Sequence, residues 1–321
     1  MNFFLNIKNS FLQSSVIKLL AAYARKTTIP GYRKVSVYAT VARYFSLVKE
    51  DDIVERASAI SFNFAMAIPP TIIFLFTLIP FFPINKEFIN EIYGLIMSVI
   101  PGERNYTAII DFLNDFLNNP RNGLLSFGFL LSLFFSSNAI MGVMRSFDKD
   151  FPGFIKRKGF QKRWAAIKIT LVLFVLFFLC IALMIAQGVV LEWIGVKNEF
   201  VRNLIGYSRW LLIILLFMAI ISYIYRAAPS VHKKWKFITP GGILSTCLMA
   251  AFAFGFSWWV SQFNSYNKLY GSIGTILIVL VLIYFNSLVL LIGFEVNVSI
   301  NSLAEGQAEK MKSDRNNLVE G

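Results

Sequence analysis

The chain has little of what most enzyme chemistry needs. Among 321 residues there is one histidine, His232, and there are two cysteines, Cys180 and Cys247. A lone imidazole excludes metal centres built on histidine clusters. Both cysteines fall inside long apolar runs, where they make no disulfide framework and no zinc site and read as small packing residues. Acids are scarce as well, 18 Asp and Glu against 31 Lys and Arg, and all charged residues together make up only 15% of the chain. The acids outside the apolar runs on the basic side, Glu50, Asp51, Asp52, Glu55, Asp148 and Asp150, are scattered rather than spaced as a recognisable acid–base or metal-holding set. The sequence is therefore expected not to encode an enzyme, to hold no metal and to need no cofactor.

What the chain does have is apolar surface. Hydrophobic residues make up 56% of it, with 33 phenylalanines. A soluble core has no room for that much, so lipid must cover part of it. Six apolar runs stand out, at about 57–82, 123–144, 167–190, 204–225, 237–263 and 273–298. Each is long enough as a helix to cross roughly 30 Å of hydrocarbon. The stretch 251–257 alternates with period two, but an open strand in lipid would strand its backbone polar groups, so it too reads as helix.

The loops give the orientation. Residues 1–56 carry nine Lys and Arg against four acids. The segment after the second run holds Arg145, Lys149, Lys156, Arg157, Lys158, Lys162 and Arg163, and the one after the fourth holds Arg226, Lys233, Lys234 and Lys236. The other three connections have few cations: Lys86, Arg104 and Arg121, then Lys197 and Arg202, then Lys268. Strict alternation of this kind predicts cytoplasmic ends and a polytopic all-α membrane protein with six transmembrane helices. The net charge of +13 then reflects topology and anionic headgroups at the cytoplasmic face, and nucleic acid is not expected as a partner.

Three domain-like parts follow. Residues 1–56 form a cytoplasmic N-terminal region whose 3–24 stretch has the apolar stripe of an interfacial amphipathic helix. Residues 57–300 form the membrane domain, with an extracytoplasmic loop at 83–122 expected to hold two short amphipathic helices. That loop reads either as a cap on the bundle or as a lid over a lipid-facing or ligand cavity. Residues 301–321 form a polar cytoplasmic tail, expected to fray.

Within the membrane domain, Pro69 and Pro70 remove two amide donors and predict a kink in the first helix. Glu295, near the inner end of the sixth run, is the outstanding polar residue, because a carboxylate at membrane depth is costly and by default functional. It reads either as a proton- or substrate-handling group or as one half of a structural ion pair, with Arg56 a conceivable partner. Asn297, Asn286, Ser61, Asn63 and Asn138 either line a hydrophilic cleft or act as glue between helices. Rows of small residues, Ala57, Ser61 and Ala65 in the first helix and Gly128, Ser132 and Ser136 in the second, favour close packing. Lys233, Lys234, Trp235 and Lys236 form a basic, aromatic-anchored segment suited to anionic headgroups.

The last hundred residues carry a pattern. Ala228-Pro229 ends the fourth run, Thr239-Pro240-Gly241-Gly242 opens the fifth, Tyr270-Gly271-Ser272-Ile273-Gly274 precedes the sixth, and Gly293-Phe294-Glu295-Val296-Asn297 closes it. This resembles the YihY/BrkB family of bacterial inner-membrane proteins, over roughly residues 40–300. One departure is Leu282, where the family often has Trp two residues before its Tyr, here Tyr284. The resemblance implies a multi-pass protein of the bacterial plasma membrane linked to envelope integrity. The resemblance fixes no activity; the kinked first helix, the polar stripes and Glu295 point to transport or flipping of a lipid or amphiphile, with a structural protein that binds envelope partners as the alternative. The family has also carried a ribonuclease label, which the single histidine and the scattered acids argue against for this chain.

Overall fold

The computed structural model of the chain describes residues 22–29, 35–78, 89–90, 93–94, 96–97, 103–118, 122–149, 153–155, 157–194, 199–232, 234–262 and 264–320. The long helices, in chain order, are α1 (Val37–Glu50), α2 (Ile53–Leu78), α3 (Glu103–Asn118), α4 (Asn122–Ser146), α5 (Gly159–Ile194), α6 (Glu199–Ala227), α7 (Pro240–Gln262) and α8 (Asn264–Glu320). Among the described residues no strand forms, only two isolated β-bridges, Thr28 with Ser36 and Phe154 with Val231.

Among the described residues five stretches are long and apolar enough to cross a bilayer: Ile53–Leu75, Leu125–Ser146, Gly159–Ala182, Pro240–Trp259 and Ile276–Gln307. In α6 the described apolar stretch is shorter, Leu211–Ala227. Phe62, Val175, Leu211 and Phe254 are exposed along these helices, as side chains bathed in hydrocarbon rather than water would be.

The helices start and stop for local reasons. Ser36 caps α1, its hydroxyl accepting from the Ala39 amide at 3.2 Å, and the helix closes where the Asp51 amide donates to the Leu47 carbonyl. Thr239 does the same for α7, accepting from the Gly242 amide at 3.1 Å, and Pro240 takes the first helical position, where its missing donor costs nothing. Pro69 and Pro70 lie inside α2, and the helix runs through them to Leu78.

The 301–321 tail was expected to fray, yet α8 stays helical to Glu320. Its composition explains this: Ala304, Glu305, Gln307, Ala308, Glu309, Lys310 and Met311 are strong helix formers and no proline interrupts them. The amphipathic stretch expected at 3–24 lies, up to residue 21, outside the described residues.

The chain forms two compact units, Met1–Ile53 with Ile292–Gly321, and Val54–Leu291. In the larger unit an aromatic cluster joins three helices: the Phe74 ring of α2 lies 5.3 Å from Phe129 of α4 and 6.1 and 6.2 Å from Phe174 and Phe178 of α5. In the smaller unit Val35, Leu47, Phe294 and Ile300 are fully buried.

Candidate functional site

Among the described residues of the larger unit, polar groups pair at four places, three between helices and one between loops. The first is the seam between α2 and α4, which run antiparallel. Gly128 approaches the Phe74 backbone so closely that an added Cβ would lie 3.5 Å from Phe74 Cα. One and two turns on, Ser132 and Ser136 reach Thr71 Oγ1, at 3.2 and 3.4 Å. Gly142 faces Asn63, whose Nδ2 would be 3.0 Å from a Cβ there. At the end of the seam Arg56 donates to the Ser146 carbonyl. The small-residue row on α4 thus does the packing its spacing suggests. On α2 the contact runs through Arg56, Asn63, Thr71 and Phe74, about a third of a turn round the helix from the Ala57–Ser61–Ala65 row. Ser61 bonds within its own helix, to the Ser58 carbonyl, and Asn63 Nδ2 to the Ala59 carbonyl.

The second place joins α4 and α5. Arg163 donates to Asn138 Oδ1, and its guanidinium sits 4.7 Å from the centre of the Phe134 ring. Asn138 is therefore engaged by a cation, which also stacks on an aromatic face.

The third is a three-helix junction in the same unit. Tyr225 at the end of α6 is buried, with 1% of its surface exposed. Its hydroxyl donates to the Leu290 carbonyl of α8 at 2.7 Å and lies 2.7 Å from Ser245 Oγ of α7. Ser245 in turn reaches the Val289 carbonyl at 3.1 Å. Gly242 lets the helices approach, for a Cβ there would stand 3.1 Å from Thr239 Oγ1 and 3.7 Å from the Tyr225 ring. Tyr225 and Ser245 were not candidates on sequence. Nothing in the linear pattern pairs a tyrosine at a run's end with a carbonyl 65 residues on.

The fourth is a clasp between loops. The Ile155 amide donates to the Ser230 carbonyl at 2.8 Å and the His232 amide to the Gly153 carbonyl at 2.9 Å. Gly153 has φ 92°, a backbone geometry that glycine alone adopts freely. Arg157 then bonds the carbonyls of Ala227, Ala228 and Pro229, at 3.2 to 3.4 Å. Ala227 ends α6 and the other two follow it directly, so the cation sits at the helix's C-terminal end, where partial negative charge attracts it. Burial lowers the Arg157 pKa, and nearby Asp148 acts in the opposite sense. Asp148 itself pairs with Lys162.

In the smaller unit, Glu295 is fully buried, with 0% exposed, and Asn297 and Ser299 beside it are buried too. Ser299 Oγ donates to the Glu295 backbone carbonyl at 2.7 Å. The Tyr44 phenol of α1 is held above its usual pKa, first by burial and then by the negative charge of Glu295, so the two groups feel each other's field.

The remaining candidates scatter. Asn286 turns onto its own helix, donating to the Leu282 carbonyl at 2.8 Å. Gly241, Gly274 and Gly293 are buried in their helices, while the side chain of Tyr270 and the surroundings of Gly271 lie outside the described side chains. Lys234 and Lys236 are exposed, and Lys233 lies outside the described residues. Trp235 departs from the expectation of a headgroup anchor. It is 8% exposed, an indole packed into protein rather than laid on a bilayer. Among the described residues no three His, Cys, Asp or Glu side chains converge as a metal-holding group.

Apolar helices long enough to span a bilayer, polar groups paired across helix seams and two basic loops joined by hydrogen bonds define a multi-pass α-helical membrane protein. The family model for Virulence factor BrkB matches residues 44–317, and the chain belongs to that family. It is similar to the Putative ribonuclease-like protein YfkH of Bacillus subtilis (strain 168), with 24% identity over 252 residues, 77% of this chain and 89% of the relative. It is also similar to UPF0761 membrane protein IL2447 of Idiomarina loihiensis, with 25% identity over 73% of this chain and 80% of the relative. UPF0761 membrane protein VSAL_I2938 of Aliivibrio salmonicida is 29% identical over 37% of either chain, so the match spans little more than a third of that relative. No solved structure matches the chain.

Proposed function

We propose that the protein crosses a bacterial plasma membrane six times, with both ends cytoplasmic, and that it moves a lipid or amphiphile across or within the bilayer without converting it chemically. The observation that carries this reading is Glu295. It is a fully buried carboxylate within the spanning stretch Ile276–Gln307 of α8. Keeping a carboxylate at or near membrane depth costs a few kcal/mol, about 3 on insertion scales, and such residues are by default working ones. Its role would be to take up a proton or engage a cationic headgroup as substrate passes.

The sixth crossing would be α6, whose Leu211–Ala227 stretch meets the lower length limit for a spanning helix. The orientation draws support from the clasp. It joins the two basic loops after α4 and α6, while Arg56 at the start of α2 bonds the end of α4. Three segments read as cytoplasmic thereby share one end of the unit.

A second reading, a membrane scaffold that binds envelope proteins and moves nothing, is favoured by a different observation. The polar groups at the α2–α4 seam and the α6–α7–α8 junction bond one another, as glue does. The ribonuclease wording in the name of the Bacillus relative stays with that protein.

Reconstitution in liposomes with a fluorescent-lipid translocation assay separates the readings. The transport reading expects translocation by the native chain and its loss in Glu295→Gln. No translocation by either protein would leave the scaffold. Translocation indifferent to the substitution would remove Glu295 from the mechanism. Reporter fusions at the two ends must report the same face, and opposite faces would overturn the topology.

A further inference from the structure

We infer that the two loops joined by the Arg157 clasp form a single binding shelf for anionic phospholipid, built from both segments together and not from the Lys233–Lys236 segment alone. The clasp brings residues 153–157 alongside 227–232, through two backbone hydrogen bonds and the three carbonyls held by Arg157. Exposed cations flank this junction on both strands: Lys158 on one, Arg226, Lys234 and Lys236 on the other. Lys162 pairs with Asp148. Residues 153–158 and 226–236 contain no Asp or Glu, so the charge these two stretches themselves carry is positive.

Two aromatic side chains complete the shelf. Phe160 and Trp164, on the first turns of α5, are 84% and 54% exposed. Lys168, one turn further, lies 5.8 Å from the Trp164 ring centre. A bare phenylalanine and a half-bare tryptophan are unfavourable in water. They are suited to the boundary between headgroups and acyl chains, with cations at the phosphate level just beyond. A soluble acidic partner would use the cations and leave the aromatic rings unaccounted for. A zwitterionic lipid would use the rings and bring no net charge to match the cations. An anionic phospholipid satisfies both at once.

Arg157 is then a positioning residue. Its guanidinium is spent on carbonyls, and its part is to keep the two strands of cations side by side.

The test is lipid selection by the full chain in symmetric nanodiscs of phosphatidylglycerol and phosphatidylcholine, read as the ratio of the two lipids that stay bound in native mass spectrometry. Symmetric bilayers make the result independent of orientation and of transport, so its failure and a failed translocation assay are distinct outcomes. The native chain should favour phosphatidylglycerol. Each surface cation contributes about fivefold near a membrane, so K158Q/K234Q/K236Q should lower the preference at least about fivefold. K158Q alone and K234Q/K236Q should each lower it in part. R157K keeps the charge but loses the forked hydrogen bonds. It should lower the preference too, with the fold verified by unchanged helical content. Equal retention of the two lipids by native protein would overturn the shelf. A K158Q variant that selects like native protein would overturn the two-loop origin, and an unaffected R157K would overturn the clasp's part in it.

Discussion

Removing one oxygen atom from Tyr225 isolates what the three-helix junction contributes. Tyr225→Phe deletes a hydroxyl that is buried, donates to the Leu290 carbonyl at 2.7 Å and lies 2.7 Å from Ser245 Oγ. The partners left behind are not stranded. Leu290 lies within α8, so its carbonyl can accept along the helix, and Ser245 still reaches the Val289 carbonyl at 3.1 Å. The cost should therefore be that of the lost bonds themselves, with no added penalty for an orphaned group. At about 0.5–1.5 kcal/mol per bond in proteins, and near 0.6 on average between membrane helices, the expected loss is about 1–2 kcal/mol. Tyr225→Ala should cost more, about 3–5 kcal/mol, because it also opens a cavity where the Phe147 and Tyr225 rings stand 5.9 Å apart. The assay is unfolding in mixed micelles by titration with a denaturing detergent, followed by circular dichroism. A double-mutant cycle of Tyr225→Phe with Ser245→Ala should give a coupling of about 0.6–1.7 kcal/mol. A Tyr225→Phe variant as stable as native protein, or a coupling of zero, would refute the reasoning. The hydroxyl would then be a bystander beside an apolar contact.

Gly142→Ala sets a methyl 3.0 Å from Asn63 Nδ2, and overpacking of this kind should cost about 1–3 kcal/mol in the same assay; the double variant with Asn63→Ala should recover most of it. Arg163→Gln gives up the bond to Asn138 and the stacking on Phe134 and should destabilise by about 1–2 kcal/mol, read as an earlier detergent midpoint. Glu295→Gln should lower the titration midpoint of the Tyr44 phenol, because the carboxylate's charge raises it. The midpoint should stay above the ordinary tyrosine value, since burial is the larger cause and remains. Selective carbon-13 labelling of tyrosine and NMR would follow that one resonance, and an unmoved midpoint would mean that the two groups do not share a field.

The helices were legible because their signal is length. Apolar runs of two dozen residues leave the backbone no alternative but to bond within itself. The ends were less legible. The tail after Asn301 looked polar and free, yet helix propensity continues α8 to Glu320. The α4 row of Gly128, Ser132 and Ser136 was readable because small residues four apart share a face. Its counterpart on α2 was not, since Asn63, Thr71 and Phe74 are neither small nor evenly spaced. Polar residues named in advance divided by chemistry. Asn138 found a cation on another helix, whereas Asn286 and Ser61 fell back on their own backbones. The junction at Tyr225 and the Arg157 clasp were hidden for one reason. Each depends on backbone carbonyls, which every residue has and no sequence pattern marks. Trp235 misled because an aromatic among lysines reads as an interface anchor, and only packing reveals it as core.

The clasp also constrains how these two loops vary among related chains. Ala227, Ala228 and Pro229 are held by a side chain about seventy positions away. Lengthening either strand by a residue would shift the amides of Ile155 and His232 out of register with their acceptors. Insertions and deletions in one strand should therefore be matched by compensating changes in the other, and epitope tags or protease sites placed in either will report on both.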